Sequence, residues 1–236
     1  MKKNLNKWVL SLVMAIALPV TSMAQDKVEA SVGADLVSGY IWRGQDLGGA
    51  SVQPSISVAY KGLSLTAWGS VGFDSDDDKE VDLTLAYELG NFSVSITDYW
   101  YWCKGEDNDF FCYGAHSTAH EFEAQIGYDF GIFSFNWATI FAGHDKVNSK
   151  GKRVYSSYIN IIAPFSLIGL DWEAEVGATP WGTGYYDGTD KFSVCDLSLG
   201  ASKDIKITDS YSTSLFAKAT FNPTTEKFYA TIGISF

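Results

Sequence analysis

Beyond residue 24 the chain has no apolar run of the ~20 residues that a membrane-spanning helix needs. A helical membrane bundle is therefore excluded. Nucleotide and redox motifs are also missing: there is no glycine-rich phosphate loop and no CxxC pair. Histidine is scarce, with 3 residues. His116 and His120 stand four apart, and an extended strand would separate such a pair by about 13 Å. Joint metal binding would need a turn between them. No local motif sets a serine beside a histidine with an orienting partner, a constellation judged by geometry rather than sequence. The expectation is a non-enzyme with no cofactor and no metal. Positive charge is short too. Without Lys2, Lys3 and Lys7 the 17 basic residues fall to 14, against 28 acidic ones, a formal charge of −14. Such a chain is not expected to bind nucleic acid by neutralising phosphates.

The two ends of the chain carry clearer signals. Lys2, Lys3 and Lys7 precede an apolar run from Trp8 to Val20, and Ser22-Met23-Ala24 supplies small residues for cleavage. This is the layout of a secretory signal over residues 1–24, with a mature domain over 25–236. No cysteine lies near the cleavage point, so a lipid anchor is not supported. At the other end, Phe228, Ala230, Ile232, Ile234 and Phe236 alternate with Tyr229, Thr231, Gly233 and Ser235. A period of two argues for a strand. An exported chain closing on an aromatic strand points to a transmembrane β-barrel of a bacterial outer membrane. That strand is also the expected handle for the barrel-assembly machinery.

The fold class is read as all-β, an antiparallel up-and-down transmembrane barrel. Twelve strands are expected over 28–43, 51–60, 63–73, 80–88, 91–101, 117–129, 132–142, 153–164, 167–178, 191–202, 205–221 and 226–236. Ten remain if 92–116 is irregular. Short turns at 60–62, 88–91, 129–131, 164–166 and 202–204 alternate with longer polar connections at 44–50, 74–79, 102–116, 143–152, 180–190 and 222–226. Outer-membrane barrels have short periplasmic turns and longer outside loops, so both termini are expected in the periplasm. Tyr60, Tyr87 and Tyr128 would form an aromatic girdle at the periplasmic ends of their strands. Asp98-Tyr99-Trp100-Tyr101-Trp102 breaks the alternation and reads as a strand leaving the membrane or a rim bulge. A soluble sandwich or lipocalin-like barrel also alternates, but would hide the apolar face inside.

The segment Ser38-Gly39-Tyr40-Ile41-Trp42-Arg43-Gly44, followed by Pro54, resembles the opening of small Gram-negative outer-membrane barrels, including porins of the TorF type. The likeness covers residues 30–75 and, generically, the last strand. It implies an outer-membrane location and a pore, and it supplies no substrate.

Strand parity makes the expected lumen acidic. Asp35, Asp82, Glu121, Glu123, Asp171, Glu173, Glu175 and Asp196 face inward, with Arg43 and Lys218. Two readings follow. The acids select cations or small cationic solutes by focusing the field, or they are hydrated and salt-bridged filling of a closed barrel. Trp68, Phe216, Ile140 and Arg43 are the residues able to close it. In the second reading the role is structural or adhesin-like surface binding. Trp100, Trp102, Phe110, Phe111 and Tyr113 would then be the binding surface. Cys103 and Cys112 flank that loop, and an oxidising compartment favours a disulfide between them. Cys195 is expected to be a small outward residue. Asp74 to Asp78 reads as a solvated loop, without the glycine and distal glutamate of a calcium loop. Its acids suit bridging to lipopolysaccharide through divalent cations. Outer-membrane lipid and small solutes or ions complete the expected partners.

Overall fold

The computed structural model describes residues 27–74, 77, 79–102, 109–114, 117–186, 191–209 and 211–236. The expected signal segment, Cys103 and His116 lie outside the described residues.

Fourteen strands form among the described residues: β1 (Glu29–Val37), β2 (Tyr40–Trp42), β3 (Gln45–Gly48), β4 (Ser51–Tyr60), β5 (Leu63–Gly72), β6 (Lys79–Leu89), β7 (Phe92–Trp102), β8 (His120–Asp129), β9 (Ser134–Gly143), β10 (Ser157–Leu167), β11 (Leu170–Thr179), β12 (Ser193–Lys206), β13 (Ser212–Asn222) and β14 (Lys227–Ser235). Twelve of them close into an antiparallel barrel, β1 meeting β14 on one side and β4 on the other. The remaining two, β2 and β3, pair only with each other. Each barrel strand alternates as its sequence does. Val32, Ile56, Leu65, Leu85, Ile126 and Val176 are exposed on the outer wall. Gln53, Thr66, Thr84, Asn160, Ser198 and Thr220 are buried inside. A soluble barrel has the opposite polarity, so the lipocalin-like alternative fails. An apolar exterior over a polar interior is the surface of a membrane-spanning barrel. Tyr60, Tyr87 and Tyr128 stand exposed at the short-turn end, as expected.

Four expectations need correction, the last of them the first strand. The turn after β10 is not at Pro164: β10 runs on to Leu167, Pro164 lies opposite Glu173, and the chain reverses at Ile168-Gly169. Both turn residues have positive φ, 51° and 75°, the twist a two-residue hairpin needs. Likewise β12 runs through 202–204 to Lys206, which lies opposite Ser212 at the start of β13. Third, β7 neither leaves the wall nor bulges at Asp98: it pairs in unbroken register with β6 and β8 from Phe92 to Trp100.

The first strand departs most. It was expected to run in the wall to residue 43, but wall pairing stops at Val37. The chain then folds inward as the β2–β3 hairpin. Tyr40 packs on the inward Trp68 and Trp42 on the inward Tyr99, with ring centroids 5.6 and 5.8 Å apart.

Candidate functional site

Arg43 and Gly44 form the two-residue tip of this hairpin, with φ of 49° and 77°. Two successive left-handed residues give a type I′ turn. Glycine is required at the second for space as well: a Cβ on Gly44 would lie 1.8 Å from the Cys195 carbonyl oxygen. Asn222 Nδ2 donates to the Gly44 carbonyl at 3.1 Å and seats the tip against β13.

The tip drives Arg43 into the barrel, where only 3% of it is exposed. Its guanidinium donates twice to Glu123, Nη1 to Oε2 at 2.5 Å and Nη2 to Oε1 at 2.8 Å. Such fork-to-fork pairing is the strongest geometry available to a carboxylate. Nη1 also donates to Tyr186 Oη at 2.8 Å, and Tyr99 Oη donates to Glu123 at 3.0 Å. The guanidinium carbon sits 4.3 Å from the Trp42 ring centre and 4.7 Å from that of Tyr158. Arg43 thus occupies an aromatic cage.

All but one of the other expected lumen residues group on the inner wall around this plug. Glu175 accepts from Asn160 Nδ2 at 2.7 Å, Tyr158 Oη at 3.0 Å and Lys218 Nζ at 3.2 Å. Asp196 accepts from Ser198, and from Tyr158 Oη at 3.4 Å. Glu121 accepts from Tyr185. Glu173 is half-buried on the same face as Glu175. Asp82 is buried on the inner wall, one oxygen lacking a hydrogen-bond partner. Asp171 bonds Ser166 at the short-turn mouth, away from the rest. Trp68 and Ile140 are buried in the lumen, as expected of closing residues. Phe216 is half-buried, its ring lying over Gly233.

Two loop residues that the sequence did not announce complete the plug, Tyr185 and Tyr186. They lie in the 180–192 connection, where no strand period gives a facing. Tyr158 and Tyr99 do have inward parity, which was the available signal. Cys195 is a correction: it is buried against Tyr158 and Tyr186 rather than outward. A β-bulge shifts the register there, so Gly177 faces Asp196 while Ala178 faces Val194. The extra residue turns Cys195 inward beside Asp196.

The aromatic loop divides. On the outer wall Asp98 and His120 form a pair, Nδ1 to Oδ1 at 2.7 Å, and His120 Nε2 donates to the Phe110 carbonyl at 2.7 Å. His120 is fully buried because the loop folds down over it. Tyr113 stacks on its ring at 4.4 Å, and Phe110 meets both it and Trp100 edge-on at 5.2 Å. Trp100 is therefore a packing residue, and Phe110 is half-buried against it. Phe111, Tyr113 and Trp102 remain exposed, Lys79 Nζ lying 4.4 Å from the Trp102 ring centre. The expected Cys103–Cys112 bridge falls outside the described residues; Cys112 Sγ donates to the Ser117 carbonyl at 3.3 Å. Among the described residues no group of three or more metal-ligating side chains comes together.

No family model and no curated protein matches this chain. A solved structure from "Unveiling the Mechanism Behind the in-meso Crystallization of Membrane Proteins" is similar over 89% of this chain and 83% of its own. At 10% identity and a TM-score of 0.44, that likeness carries no argument about function.

Proposed function

We propose that the protein is a bacterial outer-membrane channel for cations or small cationic solutes, held shut by the Arg43 hairpin. The observation that carries this reading is the buried Arg43–Glu123 fork at the centre of an acid-lined lumen. A purely structural barrel has no need of a charged plug, since apolar filling costs less than a buried ion pair. A plug that is ionic and tipped by one side chain can be released. Once it leaves, Glu121, Glu123, Glu173, Glu175 and Asp196 line the path and favour cations over anions. In this reading the short turns face the periplasm and the longer loops face outward, where their acids meet lipopolysaccharide through divalent cations. The resemblance of residues 30–75 to porins of the TorF type agrees with this assignment without adding a substrate.

The test is conductance in a planar bilayer under a salt gradient. The wild-type protein is expected to be mostly silent. Arg43→Gln is expected to give discrete cation-preferring steps, and adding Glu173→Gln and Glu175→Gln to weaken that preference. Silence from folded, inserted Arg43→Gln protein would remove the channel. It would favour the second reading, a closed barrel binding ligands at its outer surface, for which the exposed Phe111 and Trp102 are the observation.

A further inference from the structure

The barrel wall is incomplete at one seam. β1 and β14 align at Asp35–Ser235, Leu36–Ile234 and Val37–Gly233, and Ala34 and Phe236 exchange backbone hydrogen bonds at the chain end. On its other side β14 aligns with β13 all the way to Lys227. The last link across the seam is Ser38 N–H to the Ile232 carbonyl at 2.9 Å, and Ile232 N–H turns to Ser38 Oγ at 3.0 Å. Backbone groups alternate sides along an antiparallel strand. Because Ile232 points its N–H and C=O toward β1, Ala230 and Phe228 point theirs the same way. Beyond Ser38, β1 has left the wall. An open cavity of about 670 Å³ borders this edge, lined by Ser38, Gly39 and Ile41 on one side and Phe228, Ala230 and Thr231 on the other. An open strand edge is costly in a bilayer.

The register identifies what fits there. In the wall Val37 lies opposite Ser51, and inside the lumen Tyr40 lies opposite Gly48. Two residues lie between the two pairs on each strand, 38–39 and 49–50, so β1–β2 and β3–β4 are one hairpin bent between those pairs. The bend passes through Gly39 on one strand and Gly49 on the other, where an added Cβ would meet nothing closer than 3.6 Å. Carried on straight, the β1–β14 alignment sets Tyr40 against Ala230 and Trp42 against Phe228. Outward parity of Val32 and Leu36 then places Tyr40 and Trp42 on the outer face, at the rim where aromatic side chains favour the lipid boundary.

We propose that the hairpin has two seats. In one it is bent into the lumen and held by Glu123. In the other it is straight, with β2 paired onto the open edge of β14, so that the wall closes as the lumen opens. This mechanism takes its purpose from the channel reading but is tested separately.

Amide hydrogen exchange of the refolded protein in lipid nanodiscs, read by NMR, tests it. In wild type the Phe228 and Ala230 amides are expected to exchange fast. In Arg43→Gln they are expected to slow at least tenfold. Mere loosening of the plug leaves them fast, and that result overturns the second seat. A second probe covers misfolding of that variant: Trp42→Cys with Phe228→Cys, in a Cys103→Ser, Cys112→Ser, Cys195→Ala background. Directly opposed antiparallel residues bring their Cα atoms to about 5.5 Å, within disulfide reach. In the bent seat Trp42 lies inside the barrel and Phe228 outside. A disulfide on oxidation supports the straight seat, and its absence overturns it. Slowed exchange or a disulfide without conductance leaves the two seats standing and removes the channel. Conductance with neither keeps the channel and removes the second seat.

Discussion

Replacing His120 by alanine probes the outer wall independently of the lumen. His120 is fully buried, and the Asp98 side chain is 15% exposed. Both ring nitrogens face acceptors, the Asp98 carboxylate and the Phe110 carbonyl. Removing the ring strands a carboxylate on the lipid side of the wall. Loss of one partner from a buried pair costs about 3–5 kcal/mol. The stacking with Tyr113 is worth another ~0.5–1.5 kcal/mol, already partly contained in that figure. The expected loss for His120→Ala is therefore about 3–5 kcal/mol. Replacing both members, Asp98→Leu with His120→Leu, removes the stranded charge and is expected to fall within ~1 kcal/mol of wild type. Urea titration in micelles, followed by tryptophan fluorescence, of wild type, Asp98→Leu, His120→Leu and the double variant gives all corners of a double-mutant cycle. A coupling energy above ~2 kcal/mol is expected. Limited proteolysis should show the 109–114 segment cut faster in His120→Ala. A loss under ~1 kcal/mol together with unchanged cleavage would refute the reasoning, because the pair would then already be hydrated and the loop undocked.

Gly44→Ala places a methyl 1.8 Å from the Cys195 carbonyl and forces a left-handed backbone on alanine. The strain costs ~1–2 kcal/mol before the clash is counted, so open events in bilayer recordings should become more frequent than in wild type. Gly233→Ala would put a Cβ 2.2 Å from the Phe216 ring. It should lower stability in urea by ~1–3 kcal/mol, and Phe216→Leu should recover part of that loss. In channels opened by Arg43→Gln, Glu175→Gln should move the reversal potential toward zero. The mouth should behave differently: Asp171→Asn is expected to leave that potential nearly unchanged, since Asp171 sits with Ser166 at the short-turn end.

Much of the wall was legible because lipid outside and polar groups inside impose a period of two on every strand. Val176 outside and Glu175 inside follow from that rule alone. The turn at Ile168-Gly169 was displaced because Pro164 reads as a breaker, yet a proline is tolerated where its strand position does not demand the missing N–H. Cys195 was misassigned because one bulge residue inverts parity locally and leaves no mark in the alternation. The aromatic loop was read as a surface because nothing local ties it to His120, and the Asp98 that pairs with His120 lies 22 residues earlier.

The sequence by itself determined that this chain is a barrel of twelve wall strands with an acidic inner face, because those properties are written residue by residue in local alternation. Tertiary structure decided whether that inner face is open. By parity Tyr40 and Trp42 could face lipid and Arg43 the lumen, as in a wall strand, so the local sequence does not separate the wall from the lumen. The choice rests on partners 80 and 143 residues away, Glu123 and Tyr186, which hold one guanidinium inside the lumen and which no local pattern reveals.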